Sequence, residues 1–219
     1  RLQEGAYGIV YLGTYLSQRV AVKVFKRAKG KQFHLKSFLK EVEILSWLRH
    51  PDILLYIGLH ICRSDCMMIS EYLENGSLFD HLHGKLKISK PFNLERTFEI
   101  LKGILRALVY IHSKGIVHCD LKSSNILLDD NWNIKLADFG LSKKIMGMDV
   151  RKGRKYARVG TPNWMAPEIC RGEKYTEKAD VYSFGLIVWE IIQQQIPHKG
   201  KDPSEIMEIM SSSSILQVI

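Results

Sequence analysis

Apolar and polar positions in the first third of the chain follow the pattern of β-strands. Segments 9–12 and 19–25 are rich in β-branched and aromatic residues, which fit a pleated, partly buried surface. Segments 54–62 and 67–72 have the same character. This part of the chain is therefore predicted to form a sheet.

One segment between these strands has a helical period instead. Its apolar residues recur at spacings of four, three and three, which places them on one face of a helix. The pair His50-Pro51 should end that helix, because proline disfavours the helical conformation in the residue before it. The apolar stripe consists of Phe38, Val42, Leu45 and Leu48.

The pattern becomes mainly helical after Asn75-Gly76-Ser77. A long helix is predicted to end at Gly115, a residue type common just beyond a helix C-terminus. A second helix, over about 179–194, is apolar nearly all round and should be buried in a large lobe. The apolar stripe of the first helix consists of Leu94, Phe98, Leu101, Leu105, Leu108 and Ile111.

Composition favours a globular protein with a proper core, because the 219 residues are 46% hydrophobic and 25% charged. The longest strongly apolar run, at 186–192, is far too short to span a membrane. Four cysteines without the spacing of a disulfide scaffold favour a reducing compartment, and we expect a cytoplasmic protein. The start at Arg1, without a leader, suggests a piece of a longer chain.

The formal net charge of +9 is concentrated in one stretch. Between positions 141 and 165, seven lysines and arginines stand against a single acid, Asp149. This uneven distribution argues against a general nucleic-acid-binding surface. It leaves two interpretations: a solvated basic loop, or a loop that recognises acidic or already phosphorylated substrates.

Two short motifs carry the strongest chemical signal. HCDLKSSN occupies 118–125 and DFG occupies 138–140. The pattern His-x-Asp-x-Lys-x-x-Asn should arise by chance in only about one in a thousand chains of this length. Transfer of a phosphoryl group from Mg-ATP requires a proton acceptor, a cation near the transferred group and oxygen ligands for the metal. The two motifs contain all three.

Further motifs accompany them in a fixed order. A Gly-rich turn lies at 3–8, AVKVF at 21–25, GTPNWMAPE at 160–168 and DVYSFG at 180–185, with Glu41 on the early helix. Over essentially the whole chain this series resembles the eukaryotic protein kinases. The lysine in DLKSSN and the string GTPNWMAPE are similar to the tyrosine-kinase-like group of serine/threonine kinases.

The resemblance implies an α+β fold with two lobes. Residues 1–72 would form a small, mostly β N-lobe with one regulatory helix, and residues 73–219 a larger, mostly α C-lobe. Compared with the family's usual length, this single kinase domain over 1–219 would be truncated at both ends.

The resemblance also implies catalytic and metal-binding roles. Asp120 would accept the proton of a substrate serine or threonine, while Lys122 would stabilise charge on the transferred phosphoryl group. Thr161 would contact both side chains. Asn125 and Asp138 would bind Mg²⁺, a hard cation that prefers oxygen ligands.

The nucleotide site is expected between the lobes. Lys23 would hold the α- and β-phosphates of ATP and be oriented by Glu41, whereas Gly5 and Gly8 would let a strand turn close over the phosphates. Ser70 would gate the pocket behind the nucleotide, and the hinge at 71–73 would pair with adenine. The remaining expected contacts are Leu2, Val10, Ala21, Glu71, Leu73 and Leu127.

Two positions depart from the family pattern. Gln3 replaces the first glycine of the turn, which should weaken nucleotide binding without abolishing it. Cys119 replaces an arginine that would pair with a phosphate on the activation loop. Because Tyr156 is the only hydroxyl residue in 143–159, activation by conventional loop phosphorylation is not expected. A buried, inert thiol at Cys119 is favoured over a redox switch.

The sequence thus predicts ATP- and Mg²⁺-dependent phosphorylation of protein serine or threonine. Acidic substrates are one of the two interpretations of the basic stretch. No nucleic-acid partner and no membrane segment are expected. The main alternative is a weak or inactive pseudokinase that serves as a scaffold. A nucleic-acid-binding protein, suggested by charge alone, is the second.

Overall fold

The computed structural model describes residues 2–5, 8–26, 35–62, 65–84, 86, 92–144 and 156–212. Five antiparallel strands form the first sheet, in the order β1-β2-β3-β5-β4. The predicted strand segments are confirmed. The strands are β1 (Gln3–Gly5), β2 (Gly8–Tyr15), β3 (Gln18–Lys26), β4 (Tyr56–Ile61) and β5 (Asp65–Glu71).

Helix α1 (Leu35–Trp47) packs on this sheet through the predicted stripe, since Phe38, Val42 and Leu45 are buried. The helix ends at Trp47, slightly before the predicted end. The Arg49 guanidinium donates to the carbonyl of Leu48 at 2.7 Å, and the Arg49 backbone N–H donates to the Tyr110 hydroxyl at 2.9 Å. These contacts replace a further helical turn.

The rest of the described chain is mostly helical and contains two short two-stranded sheets, β6–β9 and β7–β8. It therefore forms the larger, α-rich part that the sequence predicted. Its helices are α2 (Leu78–Leu82), α3 (Leu94–Ser113), α4 (Pro167–Cys170), α5 (Lys178–Gln193) and α6 (Pro203–Ser212). Its strands are β6 (Ile116–Val117), β7 (Ile126–Leu128), β8 (Ile134–Leu136) and β9 (Lys143–Lys144).

The predicted buried face of α3 is partly wrong. Leu94, Phe98 and Leu105 are exposed, although Leu108 and Ile111 are buried as expected. Apolar residues occupy several sides of this helix, so the spacing alone did not single out the face that packs. The buried face consists of Ile100, Gly103, Ile104, Ala107, Leu108 and Ile111.

Helix α5 also differs from its prediction. Val181 and Ile192 are exposed, whereas Leu186, Ile187 and Ile191 are buried. Its inner side instead includes two acidic residues that are almost fully inaccessible, at positions 180 and 190. None of the helices in the described ranges has the length and apolarity needed to cross a membrane.

Candidate active site

The loop after β6 brings three predicted catalytic side chains into mutual contact. Asp120 Oδ1 accepts a hydrogen bond from Thr161 Oγ1 at 2.7 Å. Lys122 Nζ lies 2.9 Å from Asp120 Oδ2 and donates to Thr161 Oγ1 at 2.7 Å. The segment around 120 and the segment around 161 therefore meet at one point. An acid and a cation at this point are the groups that phosphoryl transfer to a hydroxyl requires.

A glycine makes this meeting possible. Gly160 has φ +113°, and a Cβ at this position would lie 2.6 Å from the carbonyl oxygen of Cys119. Only glycine lets the backbone, in that conformation, come this close to the loop that carries Cys119 and Asp120. Its neighbour Thr161 is thereby brought within reach of Asp120.

A buried carboxylate on α5 holds the loop after β6, which carries Asp120 and Lys122. Asp180 accepts hydrogen bonds from the backbone N–H groups of His118 and Cys119, at 2.8 and 3.0 Å. His112 Nε2 is also 2.8 Å from this carboxylate. Cys119 has a positive φ of 66°, an uncommon conformation for a non-glycine residue. Asp180 begins the motif DVYSFG, but this role was not predicted from the sequence.

The thiol of Cys119 has the inert character that was expected. It is buried, and burial, followed by the charge of Asp180, raises its pKa to about 12. The thiolate that oxidation requires is therefore scarce at neutral pH. The Tyr175 hydroxyl lies beside it, also buried, without a hydrogen bond of good geometry.

A second cluster of charges joins β3, α1 and the DFG segment. Lys23 Nζ lies 2.8 and 3.0 Å from the two carboxylate oxygens of Glu41 and 3.2 Å from Asp138 Oδ1. Burial lowers the pKa of Lys23, but the charges and hydrogen bonds of the two acids outweigh it, so the net pKa lies above its usual value. Lys23 therefore carries its charge at neutral pH.

Asp138 keeps its charge for the complementary reason. Burial raises its pKa, but the attraction and hydrogen bond of Lys23 lower it further, and the net shift is downward. Its side chain retains 32% of its accessible surface. An ionised, partly accessible carboxylate is a suitable ligand for a hard cation.

The second expected metal ligand is Asn125. Its backbone is hydrogen-bonded to the residue that precedes Asp138. The backbone N–H of Ala137 donates to the carbonyl of Asn125 at 2.9 Å. The Asn125 side-chain nitrogen donates to the Asp120 carbonyl at 2.9 Å, which directs its nitrogen rather than its oxygen to Asp120. In the described ranges, no set of three or more His, Cys, Asp or Glu side chains could hold a metal ion. One carboxylate and one amide oxygen would leave most coordination positions to phosphate and water.

Strand register places the expected nucleotide contacts on one face of the sheet. Val10 pairs with Lys23, and Ala21 pairs with Ser70. Because side chains alternate along a strand and paired residues share a face, these four residues lie on the same side. Leu127, on β7, forms an isolated antiparallel β-bridge with Ser77. Ser70 is buried, whereas Val10, Ala21 and Leu127 are partly exposed.

The Gly-rich turn is described only in part, because residues 6 and 7 lie outside the described ranges. Leu2 N–H donates to the Val10 carbonyl at 2.8 Å, and Gly5 pairs with Gly8. A Cβ on Gly8 would lie 2.5 Å from the Val24 carbonyl oxygen. The close packing of β2 on β3 is therefore a second reason for glycine here, besides the expected approach of phosphates.

One backbone group of the predicted hinge at 71–73 is already paired within the protein. The backbone N–H of Glu71 donates to the Leu55 carbonyl at 3.1 Å, so it is not available to adenine. The Glu71 carboxylate accepts from the Leu55 N–H at 2.7 Å and lies 3.3 Å from Lys135 Nζ. The prediction that backbone groups of 71–73 pair with adenine therefore stays open for the Glu71 carbonyl and for the backbone of Leu73.

Most of the basic stretch predicted at 143–158 lies outside the described residues, including Asp149 and the positions from 151 to 155. Two of its lysines are visible in β9. Lys144 pairs with Glu43 of α1 at 2.9 Å, and Lys143 Nζ lies 4.9 Å from the ring centre of Tyr175.

A second buried acid on α5, Glu190, was missed by sequence reasoning. It is inaccessible to solvent and contacts His83, Ser123 and Trp164. The sequence did contain one signal for Glu190, because this acid lies among apolar residues of the predicted helix. A buried acid at such a position needs hydrogen-bonding partners.

Comparison with known proteins matches this geometry. A family profile described as protein kinase domain matches residues 1–218. The chain is 39% identical over 210 residues to probable serine/threonine-protein kinase drkB of Dictyostelium discoideum, covering 94% of this chain and 29% of that protein. It is 35% identical over 208 residues to serine/threonine-protein kinase STY46 of Arabidopsis thaliana, covering 93% of this chain and 34% of that protein. The chain thus spans about a third of the length of these two relatives.

Proposed function

Because this chain belongs to the protein kinase family, we propose that it transfers the γ-phosphate of ATP to serine or threonine hydroxyl groups of proteins. The observation that carries the proposal is the contact of Asp120, Lys122 and Thr161 beside an intact Lys23–Glu41–Asp138 cluster. Both clusters are formed by residues distant in sequence. The relatives named serine/threonine-protein kinases support the choice of acceptor.

In this mechanism each side chain acts on a stated atom. Asp120 accepts the proton of the substrate hydroxyl as its oxygen forms a bond to the γ-phosphorus and the bond to the ADP oxygen breaks. Lys122, held near Asp120 and Thr161, stabilises negative charge on the transferred group. Lys23 holds the α- and β-phosphates, with its orientation fixed by Glu41.

Asn125 and Asp138 would hold Mg²⁺ through their side-chain oxygens. When bound, the cation neutralises phosphate charge and helps orient the γ-phosphate. Asp138 suits this role because it is ionised and partly accessible. The nucleotide would lie against Leu2, Val10, Ala21, Ser70, Leu73 and Leu127, with Gly5 and Gly8 over its phosphates.

Three finer statements belong to the same proposal. Acidic or phosphorylated protein substrates are favoured by the basic stretch at 143–158. Nucleic acid is not a proposed partner, since most of the net charge of +9 lies in that stretch. A reducing compartment such as the cytoplasm is proposed because the four cysteines lack the spacing of a disulfide scaffold.

The direct test is transfer of labelled γ-phosphate from Mg-ATP to a peptide pool that contains serine, threonine and tyrosine. The chain should transfer phosphate, and Asp120→Asn should reduce the rate by roughly a hundredfold or more, because the amide cannot accept the proton. The matched control is Asp130→Asn, at an exposed position between β7 and β8, which should transfer at the normal rate. A folded chain without transfer would contradict the proposal and favour a scaffold.

A further inference from the structure

Four large apolar side chains form an exposed stripe along α3. They retain between 44 and 71% of their accessible surface. Their spacing along the sequence places them within about 60° of one another around the helix axis and over about 22 Å of its length. A continuous apolar surface of this kind marks an interaction site more often than a scattered set of exposed residues does. The stripe consists of Leu94, Phe98, Leu105 and Val109.

A groove borders the second half of this stripe. It has a volume of about 610 Å³ and lies between α3 and the loop that joins α1 to β4. Two side chains of the stripe, Leu105 and Val109, line it directly. The stripe and the groove thus form one continuous surface that is largely apolar. The other side chains that matter in the groove are His50, Lys102, Arg106 and Tyr110.

Contacts within the protein fix one end of the groove around Tyr110. The Tyr110 hydroxyl accepts a hydrogen bond from the Arg49 backbone N–H at 2.9 Å. The Tyr110 ring stacks on the His50 imidazole, with 4.9 Å between the ring centres, and Lys114 Nζ lies 5.7 Å from the Tyr110 ring centre. The groove is therefore preformed, and a partner would not have to order it on binding.

The charges around the groove are mostly positive. Four cations border it, and two acids oppose them, so the local balance is 4 − 2 = +2. Glu99 is exposed and pairs with Lys102 at 2.6 Å. Asp52 pairs with Arg106 at 2.7 Å, but the Asp52 side chain is only 4% exposed, whereas that of Arg106 is 53% exposed. A ligand at this surface would therefore meet positive charge. The four cations are Arg49, Lys102, Arg106 and Lys114.

We propose that the stripe and the groove bind an amphipathic α-helix of a separate protein, one whose apolar face is bordered by aspartate or glutamate. A partner helix of about four turns matches the length of the stripe. Its apolar side chains bury Leu105 and Val109 and enter the groove, while its carboxylates meet Lys102 and Arg106. None of these residues belongs to the proposed catalytic or nucleotide-binding set, so this inference does not rest on phosphate transfer.

Binding of fluorescently labelled helical peptides to the chain, measured by anisotropy, tests this role. The probe peptide carries leucines at helical spacing with glutamates on both sides of them, and a matched peptide carries lysines in place of the glutamates. The glutamate peptide should bind at least about tenfold more tightly at low salt, because its charges complement those of the groove. That difference should shrink as the salt concentration rises.

Matched variants of the chain locate the site. Val109→Glu should weaken binding of the glutamate peptide by at least about tenfold, because it places an acid in the apolar contact. Ile192→Glu is the control, since Ile192 is an exposed apolar residue on α5, and this variant should bind the peptide normally. Lys102→Glu should reduce the preference for the glutamate peptide and improve binding of the lysine peptide. Circular dichroism checks that each variant is folded.

Three outcomes would overturn the proposal. The first is a folded chain that shows no saturable binding of the glutamate peptide. The second is binding that is equal for the two peptides or unchanged in Val109→Glu. The third is a dimer of the unaltered chain in sedimentation that Val109→Glu converts to a monomer, because the stripe would then contact a second copy of this chain. None of these outcomes depends on phosphate transfer, so they leave the proposed function to its own test.

Discussion

Asp138 in the cleft and Glu190 on α5 are carboxylates whose pKa values are shifted in opposite directions. In the cleft, Asp138 lies 3.2 Å from the Lys23 ammonium, and the net shift of its pKa is downward. On α5, Glu190 contacts a hydroxyl, an indole and an imidazole, and burial raises its pKa to about 7. The Lys23 ammonium outweighs burial at the partly accessible Asp138, whereas burial outweighs the same ammonium at Glu41, whose pKa is raised.

This difference in charge determines which role each of the two carboxyl groups can have. A charged Asp138 can bind a metal ion and leaves Lys23 oriented toward the nucleotide site. A carboxyl group among mostly neutral donors cannot serve that purpose, but it can hold two segments in place through hydrogen bonds. One cluster is suited to ligand binding and the other to positioning.

The largest effect is expected when the cation is removed from the cleft. Lys23→Met should lower the rate of phosphate transfer by at least about a hundredfold, because the substrate phosphates and the two acids lose their common partner. It should also raise the pKa of Asp138 and weaken metal binding. Steady-state kinetics and Mg²⁺ titration measure both effects.

The control for this change is Lys102→Met, which removes an exposed lysine that pairs with Glu99 on α3. Its transfer rate should match that of the unaltered chain. A Lys23→Met variant that transfers phosphate at a similar rate to Lys102→Met would contradict the assigned role of the cleft cluster.

A smaller effect is expected in the pH dependence of stability. The folded chain keeps a proton on Glu190 up to about pH 7, whereas the unfolded chain releases it near the ordinary value of 4.5. The folded state thus binds more protons in this window, so the free energy of unfolding should fall as pH rises from about 4.5 to about 7. The total contribution is about 3 kcal/mol.

Urea unfolding at several pH values measures this contribution. Glu190→Gln should lack it, so the stability difference between this variant and the unaltered chain should change across the window. The Glu99→Gln variant should retain it. If the free energies of unfolding of the unaltered chain and of Glu190→Gln change in parallel with pH, Glu190 is ionised in the folded state over this whole pH range, which would contradict the prediction.

The smallest effect is expected for an exposed ion pair. Glu99 and Lys102 are 2.6 Å apart on α3, and both side chains are more than half exposed. Water and salt screen such pairs, and holding two long side chains costs entropy. Thermal unfolding of Lys102→Met should therefore give nearly the midpoint of the unaltered chain. A large drop in the unfolding midpoint would contradict this expectation, because it would show that a short distance suffices for a stabilising ion pair even when both side chains are exposed.

The sequence predicted the elements well where one period dominated. Strands β2 and β3 follow from β-branched runs, and α1 follows from a single apolar stripe ending at Leu48. The face of α3 was not predictable in this way, because Phe98 and Leu105 fit a helical stripe as well as Ile100 and Ile104 do. Which set is buried depends on the neighbouring elements, and the spacing does not contain that information.

The same limit applies to the candidate site. The motif spacing singled out Asp120, Lys122 and Asp138, which the fold brings into two neighbouring clusters. It gave no indication of the link from Glu190 to Ser123, because the two residues are 67 positions apart. Such a contact depends on how α5 packs under the catalytic loop, and a hydroxyl and an acid are each common residues on their own.

The most direct test of the central claim is the identity of the phosphorylated amino acid. After transfer of labelled γ-phosphate to a peptide pool containing serine, threonine and tyrosine, acid hydrolysis separates the three possible products. We predict labelled phosphoserine and phosphothreonine from the unaltered chain and almost none from Asp120→Asn. Label found only on tyrosine, or transfer that persists in Asp120→Asn, would contradict the account.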